Sequence, residues 1–204
     1  MSEWLKIFDE NENEIGVTSR TDVHKKGYWH ETFHCWLVET INDVDYIYFQ
    51  MRSGRKKDYP ELFDTTAAGH LLADEDVTDG VREISEELGI EVRFEDLNRL
   101  GTIRDRIVSN NFIDQEMAHV HLYRLNDEDE FKLQVEEVSG MFKTPFNHFY
   151  DLCLGKRDTI NASGFIIQDS KEKISVNRSI RLIDFVPHER SYFEKVVKAI
   201  AELL

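Results

Sequence analysis

GHLLADEDVTDGVREISEELGI, Gly69 to Ile90, is the stretch that decides how this chain is read. A helix over 77–88, turning roughly 100° per residue, places Asp79, Glu83, Glu86 and Glu87 on one face and Val77, Val81, Ile84 and Leu88 on another. The apolar stripe suits a core. The acidic stripe concentrates the carboxylate oxygens that hard divalent cations prefer. Asp76 is placed to cap the helix, Asp79 follows at the acidic position of a capping box, and Gly89 sits where a left-handed residue ends a helix. Upstream, 59–68 reads as a proline-marked lead-in, an aspartate (Asp64) and a short strand feeding the glycine loop.

These residues resemble the signature of the Nudix hydrolases: a glycine, five residues, Glu, seven residues, then Arg-Glu-aliphatic-x-Glu-Glu-x-Gly-aliphatic. Arg82, Glu83, Ile84, Glu86, Glu87, Gly89 and Ile90 fill the second half. The first half is one residue short: Gly69 and Glu75 keep their mutual spacing, but six residues separate Glu75 from Arg82, so either Asp74 or Glu75 takes the first acidic place. A solvated acidic helix face is the competing reading in a chain with 40 Asp and Glu. The resemblance covers about residues 1–153 and implies an α+β fold, a Nudix-type mixed β-sheet sandwich flanked by helices. It also implies a pyrophosphohydrolase dependent on Mg²⁺, with Mn²⁺ as the alternative, acting on a small-molecule diphosphate. Within it, Glu86 and Glu87 are the main metal ligands, Glu83 a ligand or base, Glu75 the loop ligand, and Arg82 the group that orients a glutamate. Gly69 and Arg52 would lie at the substrate phosphate.

A second constellation, His24, His30, His70, Asp114 and Glu116, resembles the metal site of type I isopentenyl-diphosphate isomerase, a Nudix-fold enzyme. That enzyme moves a proton at carbon with a cysteine just before the loop Gly-His, where this chain has Ala67-Ala68. Alanine cannot transfer a proton, so the residues present favour hydrolysis. Each histidine alone is more often a hydrogen-bonded structural residue than a ligand. Glu116 is a ligand or general base, and Glu136 and Glu137 are further base candidates from a later loop. A third reading is a non-catalytic Nudix module that senses a ligand.

The formal charge of −15 disfavours a nucleic acid or an acidic membrane surface as partner. A small anionic substrate is different, because a bridging metal reverses the local sign. With 204 residues, 41% hydrophobic content and 13 phenylalanines, the chain is expected to form one globular domain with a C-terminal extension over about 155–204. No window reaches the length of a membrane span and the N-terminus has no basic leader, so a cytoplasmic protein is expected. Cys35 and Cys153 show no metal-type spacing and read as buried free thiols.

Strands are expected at 4–8 and 15–18, an irregular stretch over 19–30, a hairpin of 32–39 with 44–51, and strands at 92–94, 100–104, 116–125 and 138–143. A short helix follows over 146–152, then strands at 164–168 and 180–185. The chain ends in a helix from about 188, with Phe193, Val196, Val197, Ile200 and Leu204 on an apolar face that packs on the core or meets a second copy in a homodimer. Arg52, Arg55, Lys56 and Lys57 form a basic cluster that could face a phosphate or be surface. Tyr28, Trp29, Phe112 and Tyr123 could stack on a base, with core packing the safer reading.

Overall fold

The computed structural model describes residues 3–109, 112–168 and 172–204. Its longest early strand, β3 (Trp29–Ile41), organises the rest. Alternation along a strand sends successive side chains to opposite faces. Phe33, Cys35 and Leu37 therefore join one apolar cluster, while Trp36 and Val38 join another. Further back on the Trp36 face, the sequence switches from apolar residues to His30, Thr32 and His34, all buried. One strand thus serves the core at one end and a polar site at the other.

Around it lie β1 (Trp4–Phe8), β2 (Glu14–Ser19), β4 (Val44–Arg52), β5 (Phe63–Asp64), β6 (Ala67–His70), β7 (Asn98–Ser109), β8 (Phe112–Arg124), β9 (Val138–Pro145), β10 (Ile160–Ile167) and β11 (Lys173–Ile180). β8 runs parallel to β3 and carries β7, while β6 pairs antiparallel with β3 over Thr32 to Cys35. The β3–β4 hairpin turns at Asn42 and Asp43, both at positive φ (49° and 62°), the backbone a two-residue hairpin turn needs. It leads into the order β4-β9-β10-β11. Strands of both directions with helices on the faces make the fold α+β.

Helix α2 (Arg82–Leu88), entered through a 3-10 turn at Asp79–Val81, buries Ile84 and Leu88 against Phe33 and Leu37. Each such side chain contributes roughly 1.5–3 kcal/mol when fully buried. Helices α3 (Phe146–Cys153) and α4 (Arg190–Ala201) cover the opposite face through Phe149, Leu152, Phe193, Val196, Val197 and Ile200. The C-terminal extension therefore packs into the same core as β3, β4 and β8. No helix is long and apolar enough to cross a membrane among the described residues. Both cysteines are buried and free.

Several local expectations are corrected. Residues 20–26, expected to be irregular, form helix α1, capped by the Ser19 hydroxyl accepting from the Asp22 N–H and by Gly27 at φ 67°. The expected strand at 92–94 is instead a coil leading into a 3-10 turn at Phe94–Asp96. The last strand lies at Lys173–Ile180, before the expected 180–185, where Leu182–Asp184 form a 3-10 turn. Leu204 lies beyond α4 and is exposed, so it takes no part in the apolar face, which Tyr192 completes instead. At the head of α2, the expected cap is half realised. The Asp76 N–H donates to the Asp79 carboxylate, but the Asp76 carboxylate accepts from Thr78 rather than from the third residue on.

Candidate active site

A cavity of about 630 Å³ opens where β3, β6 and β8 meet α2 and the segment before α4; Gly69, His70, Glu83, Glu87, Asp114 and Glu116 are on its wall. Two sets of ionisable groups meet there, the second reaching the wall through His70, Asp114 and Glu116.

The first set comes from the quoted stretch. Glu87 is buried, and one of its oxygens accepts from the Gln50 side-chain amide (3.0 Å) and the Ala68 N–H (3.1 Å). Burial, reinforced by the neighbouring Glu83 charge, pushes its carboxyl up to about 8. Burial likewise pushes Glu83 up to about 7, against the opposing charge of Arg82. A Cβ on Gly69 would fall 2.1 Å from the Glu83 carboxylate, so the glycine makes room for that acid. Arg82 grips Glu75 with Nε (2.6 Å) and Nη2 (2.9 Å) and reaches Glu83 (2.6 Å) and Glu86 (3.3 Å) with Nη1.

Glu75 rather than the exposed Asp74 therefore occupies the loop position. Its oxygens accept from Arg82 and from the Leu72 N–H, which holds its carboxyl below the usual range. Glu86 is the exposed member of the helix set. The three helix acids do not close on one point: Arg82 stands between Glu83 and Glu86, and Glu87 is tied to Gln50 and Ala68.

The second set does close. Among the described residues, two overlapping groups bring ligand atoms within 4.8 Å of one another: His24, His30 and His70; and His30, Asp114 and Glu116. The register explains how. His30 on β3 lies opposite Glu116 on the parallel β8, Asp114 shares that face two residues earlier, Thr32 pairs with His70 across β6, and α1 supplies His24. The three imidazole rings lie 5.2–5.4 Å apart, centroid to centroid. Asp114 Oδ1 is 3.4 Å from Nε2 of both His24 and His30, without the alignment of a hydrogen bond. Nε2 of His24, His30 and His70, Oδ1 of Asp114 and Oε2 of Glu116 are all buried and unpartnered. Burial, and after it the charges of His30 and Arg20, holds His70 well below the usual range, leaving a neutral ring with a lone pair to give. Buried polar atoms are normally satisfied. Two overlapping triads that share His30 and hold five such unpartnered atoms fit a cation that coordinates nitrogen and oxygen.

Other expected residues are used differently. Arg52 spends Nε on the Tyr59 carbonyl, Nη2 on the Asp58 carbonyl and Nη1 on Asp64, so it clamps a loop of the cavity wall rather than presenting a free fork to phosphate. Glu136 pairs with Arg55 and Glu137 with Lys56. Trp29 and Tyr123 are core, whereas Phe112 lies on the cavity wall, tilted over His24 at 4.7 Å.

The residues that sequence reasoning missed come from the C-terminal extension. His188 sits between Asp105 (Nδ1, 2.6 Å) and Asp64 (Nε2, 3.1 Å), and the two carboxylates, overcoming its burial, raise it to about 10. Tyr192 bonds His34 Nδ1 at 2.7 Å, and His34 Nε2 lies 3.3 Å from Glu116. No spacing rule links residues 83 and 124 positions apart.

No protein-family model matches the chain. An uncharacterized Nudix hydrolase of Clostridium acetobutylicum is 37% identical over 201 residues, 98% of each chain. The chain belongs to the Nudix hydrolases. Members of this family act in general on pyrophosphate bonds. An isopentenyl-diphosphate isomerase of Photorhabdus laumondii is 27% identical over 140 residues, 68% of this chain and 75% of that one. Among solved structures, the MutT protein of Methanosarcina mazei superposes with a TM-score of 0.52 at 14% identity, covering 85% of this chain and 94% of that one, a likeness of fold. The Nudix fold read from the Gly69 to Ile90 stretch is therefore the fold of the molecule.

Proposed function

We propose that this Nudix protein is a metal-dependent pyrophosphohydrolase that cleaves the diphosphate linkage of a small-molecule derivative inside the 630 Å³ cavity. The observation that carries this reading is the meeting, on one wall, of the α2 acids with His70, Asp114 and Glu116, the cavity-facing members of a cluster of histidine and carboxylate atoms without hydrogen-bond partners. His24, His30, His70, Asp114 and Glu116 would hold one divalent ion, and Glu83, Glu86 and Glu87 would hold Mg²⁺ or Mn²⁺ with the substrate's phosphates, since Mg²⁺ keeps waters and needs few protein ligands. Bound there, such ions neutralise phosphate charge and lower the pKa of an attacking water. Arg82, fixed by Glu75, orients Glu83 and Glu86. Gln50 and the Ala68 N–H set the direction of Glu87. Glu116, on the cavity wall and 3.3 Å from His34 Nε2, serves either as a ligand of that ion or as the carboxylate that accepts the water's proton. We read the whole chain as one domain, since the extension shares its core and reaches the site.

The test is a hydrolysis screen over nucleoside diphosphate derivatives, dinucleoside polyphosphates, thiamine diphosphate and prenyl diphosphates, with Mg²⁺, Mn²⁺ or chelator. Turnover of at least one compound, abolished by chelation, is the expected result; none with any compound would remove the proposal. The histidine cluster also favours a second reading, an isomerase-type reaction on a prenyl diphosphate. The Ala67-Ala68 pair leaves that reaction without its proton-transferring thiol. Incubation with isopentenyl diphosphate in deuterated water is therefore expected to leave the compound unlabelled.

A further inference from the structure

We infer that Tyr59 is a substrate-contacting residue, its backbone held at a left-handed angle so that its side chain stands in the cavity wall with a hydroxyl unpaired among the described residues. Three observations support this. First, Tyr59 sits at φ 52° and Glu61 at φ 63°, on either side of Pro60. Bulky L-residues rarely adopt such angles outside glycine-type turns, and strain of this kind gathers at functional sites where the surroundings over-determine it.

Second, the surroundings here do over-determine it. The Arg52 guanidinium donates to the carbonyls of Tyr59 (3.1 Å) and Asp58 (2.9 Å), while the Arg52 backbone bonds Leu62 and Glu61 across the loop. Arg52 is itself anchored by Asp64, Asp64 by His188, and His188 by Asp105. Four buried or half-buried charged groups from β4, β5, β7 and the C-terminal extension thus brace a single turn.

Third, the braced residue faces the site. Tyr59 lines the cavity, its ring makes an edge contact with Phe112 at 6.2 Å, and its hydroxyl has no hydrogen-bond partner among the described residues. Burial, with the charges of Asp114 and Asp58, holds the phenol above its usual range, so it stays a neutral donor. A purely structural tyrosine would point its ring into the core and pair its hydroxyl, as Tyr192 does. The matching ligand group is an acceptor oxygen of the phosphoryl end of the substrate, lying between the α2 acids and the histidine cluster. The assignment rests on the hydrolase reading for its substrate, but not for its readouts.

The test compares Tyr59→Phe and Tyr59→Gly with wild type in three measurements: KM and kcat on the diphosphate found in the screen, Kd for inorganic pyrophosphate by calorimetry with Mg²⁺, and Tm. Tyr59→Phe is expected to raise KM and the pyrophosphate Kd about tenfold, with kcat within about threefold and Tm unchanged. Tyr59→Gly is expected to weaken binding at least as much while Tm holds or rises, because glycine adopts this backbone angle freely. Wild-type affinity in Tyr59→Phe overturns the assignment. So does a Tyr59→Gly protein that loses stability but binds normally, which would make the ring a packing element. A wild type that binds pyrophosphate but hydrolyses nothing sinks the hydrolase reading alone, and the calorimetry then decides Tyr59.

Discussion

Two clusters in this molecule are built from the same residue types and behave oppositely. In one, His188 lies between Asp64 and Asp105 and Arg52 completes the chain; the Glu189 and Thr65 N–H groups take further carboxylate lone pairs, so every charge is matched. In the other, His24, His30, His70, Asp114 and Glu116 crowd together and five of their atoms are left without a bond. A buried network that is complete braces the fold; one that is incomplete points to a missing ligand. Histidine and carboxylate composition alone cannot separate the two cases. The accounting of donors and acceptors can.

The sharpest way to break this contrast is to remove one histidine from each cluster. His188→Ala strands two buried carboxylates and is expected to cost about 3–5 kcal/mol, the usual penalty for breaking a buried ion pair, read by urea denaturation at pH 7. His30 has one hydrogen-bond contact among the described residues, from Nδ1 to the Tyr28 carbonyl (3.2 Å), and its Nε2 has none, so His30→Gln should leave stability with chelator within about 1.5 kcal/mol of wild type. What His30→Gln should lose is the rise in Tm on adding a divalent ion. Equal losses of metal-free stability in the two variants would erase the distinction.

Next in size is Glu87→Gln. At neutral pH the metal-free Glu87 is largely protonated, so a glutamine reproduces its shape and can still accept from Gln50 and Ala68. Folding should therefore be unaffected while kcat falls roughly 100- to 1,000-fold, about 3–4 kcal/mol at 1.36 kcal/mol per tenfold. Steady-state kinetics at saturating Mg²⁺ would measure it. A fall of less than about threefold would remove the α2 acids from the chemistry.

Much of this contrast was legible in the sequence, and the part that was not has a physical reason. The α2 acids, Gly69 and the paired Arg82 announce themselves because a helix converts a local spacing into a face. The histidine set was within reach because strand alternation ties Asp114 to Glu116, and a resemblance supplied the rest. His188, Asp105 and Asp64 left no such trace: each comes from a different element, and only the tertiary register brings them together. Helix α1 was missed although Ser19 and Gly27 are good caps, because its seven residues are too few to show a period. The last strand was misplaced because Leu182 and Ile183 extend an apolar run past the point where pairing with β10 stops at Ile180. The engagement of Arg52 with Tyr59, Asp58 and Asp64 leaves no trace either, because a free and an engaged guanidinium look alike in sequence.

A smaller effect is expected from Gly69→Ala. Its added Cβ meets the carboxylate end of Glu83 at 2.1 Å, a flexible group that can swing aside, whereas in Gly80 the same addition would strike the ring of Phe33. Gly69→Ala should lower kcat about tenfold by displacing Glu83, with Tm changed by no more than about 3 °C. Gly80→Ala should do the reverse, lowering Tm with little direct effect on chemistry. The pair separates a glycine that serves the site from one that serves the core.

The smallest and most graded test follows the protons. Glu83 at about 7 and Glu87 at about 8 both lie above the 4.5 of an unfolded glutamate, so the folded, metal-free protein holds two protons that the unfolded chain releases once pH passes 4.5. Their contribution to stability is complete below that point and drains away as pH rises towards 8, at a rate on the order of 1 kcal/mol per pH unit for each group. His188 slopes the same way but later, its contribution lasting to about 10, while Asp64, lowered by His188 and Arg52 in spite of its burial, acts only at the acid end. Denaturation midpoints measured in chelator should therefore fall between pH 5 and 8. Glu87→Gln should flatten that fall, and saturating Mg²⁺ should flatten it further, because a cation favours the ionised form of both acids. A wild-type profile with the same slope in Mg²⁺ as in chelator would mean that no ion reaches these carboxylates, and the incomplete side of the contrast would then have to be read without a metal.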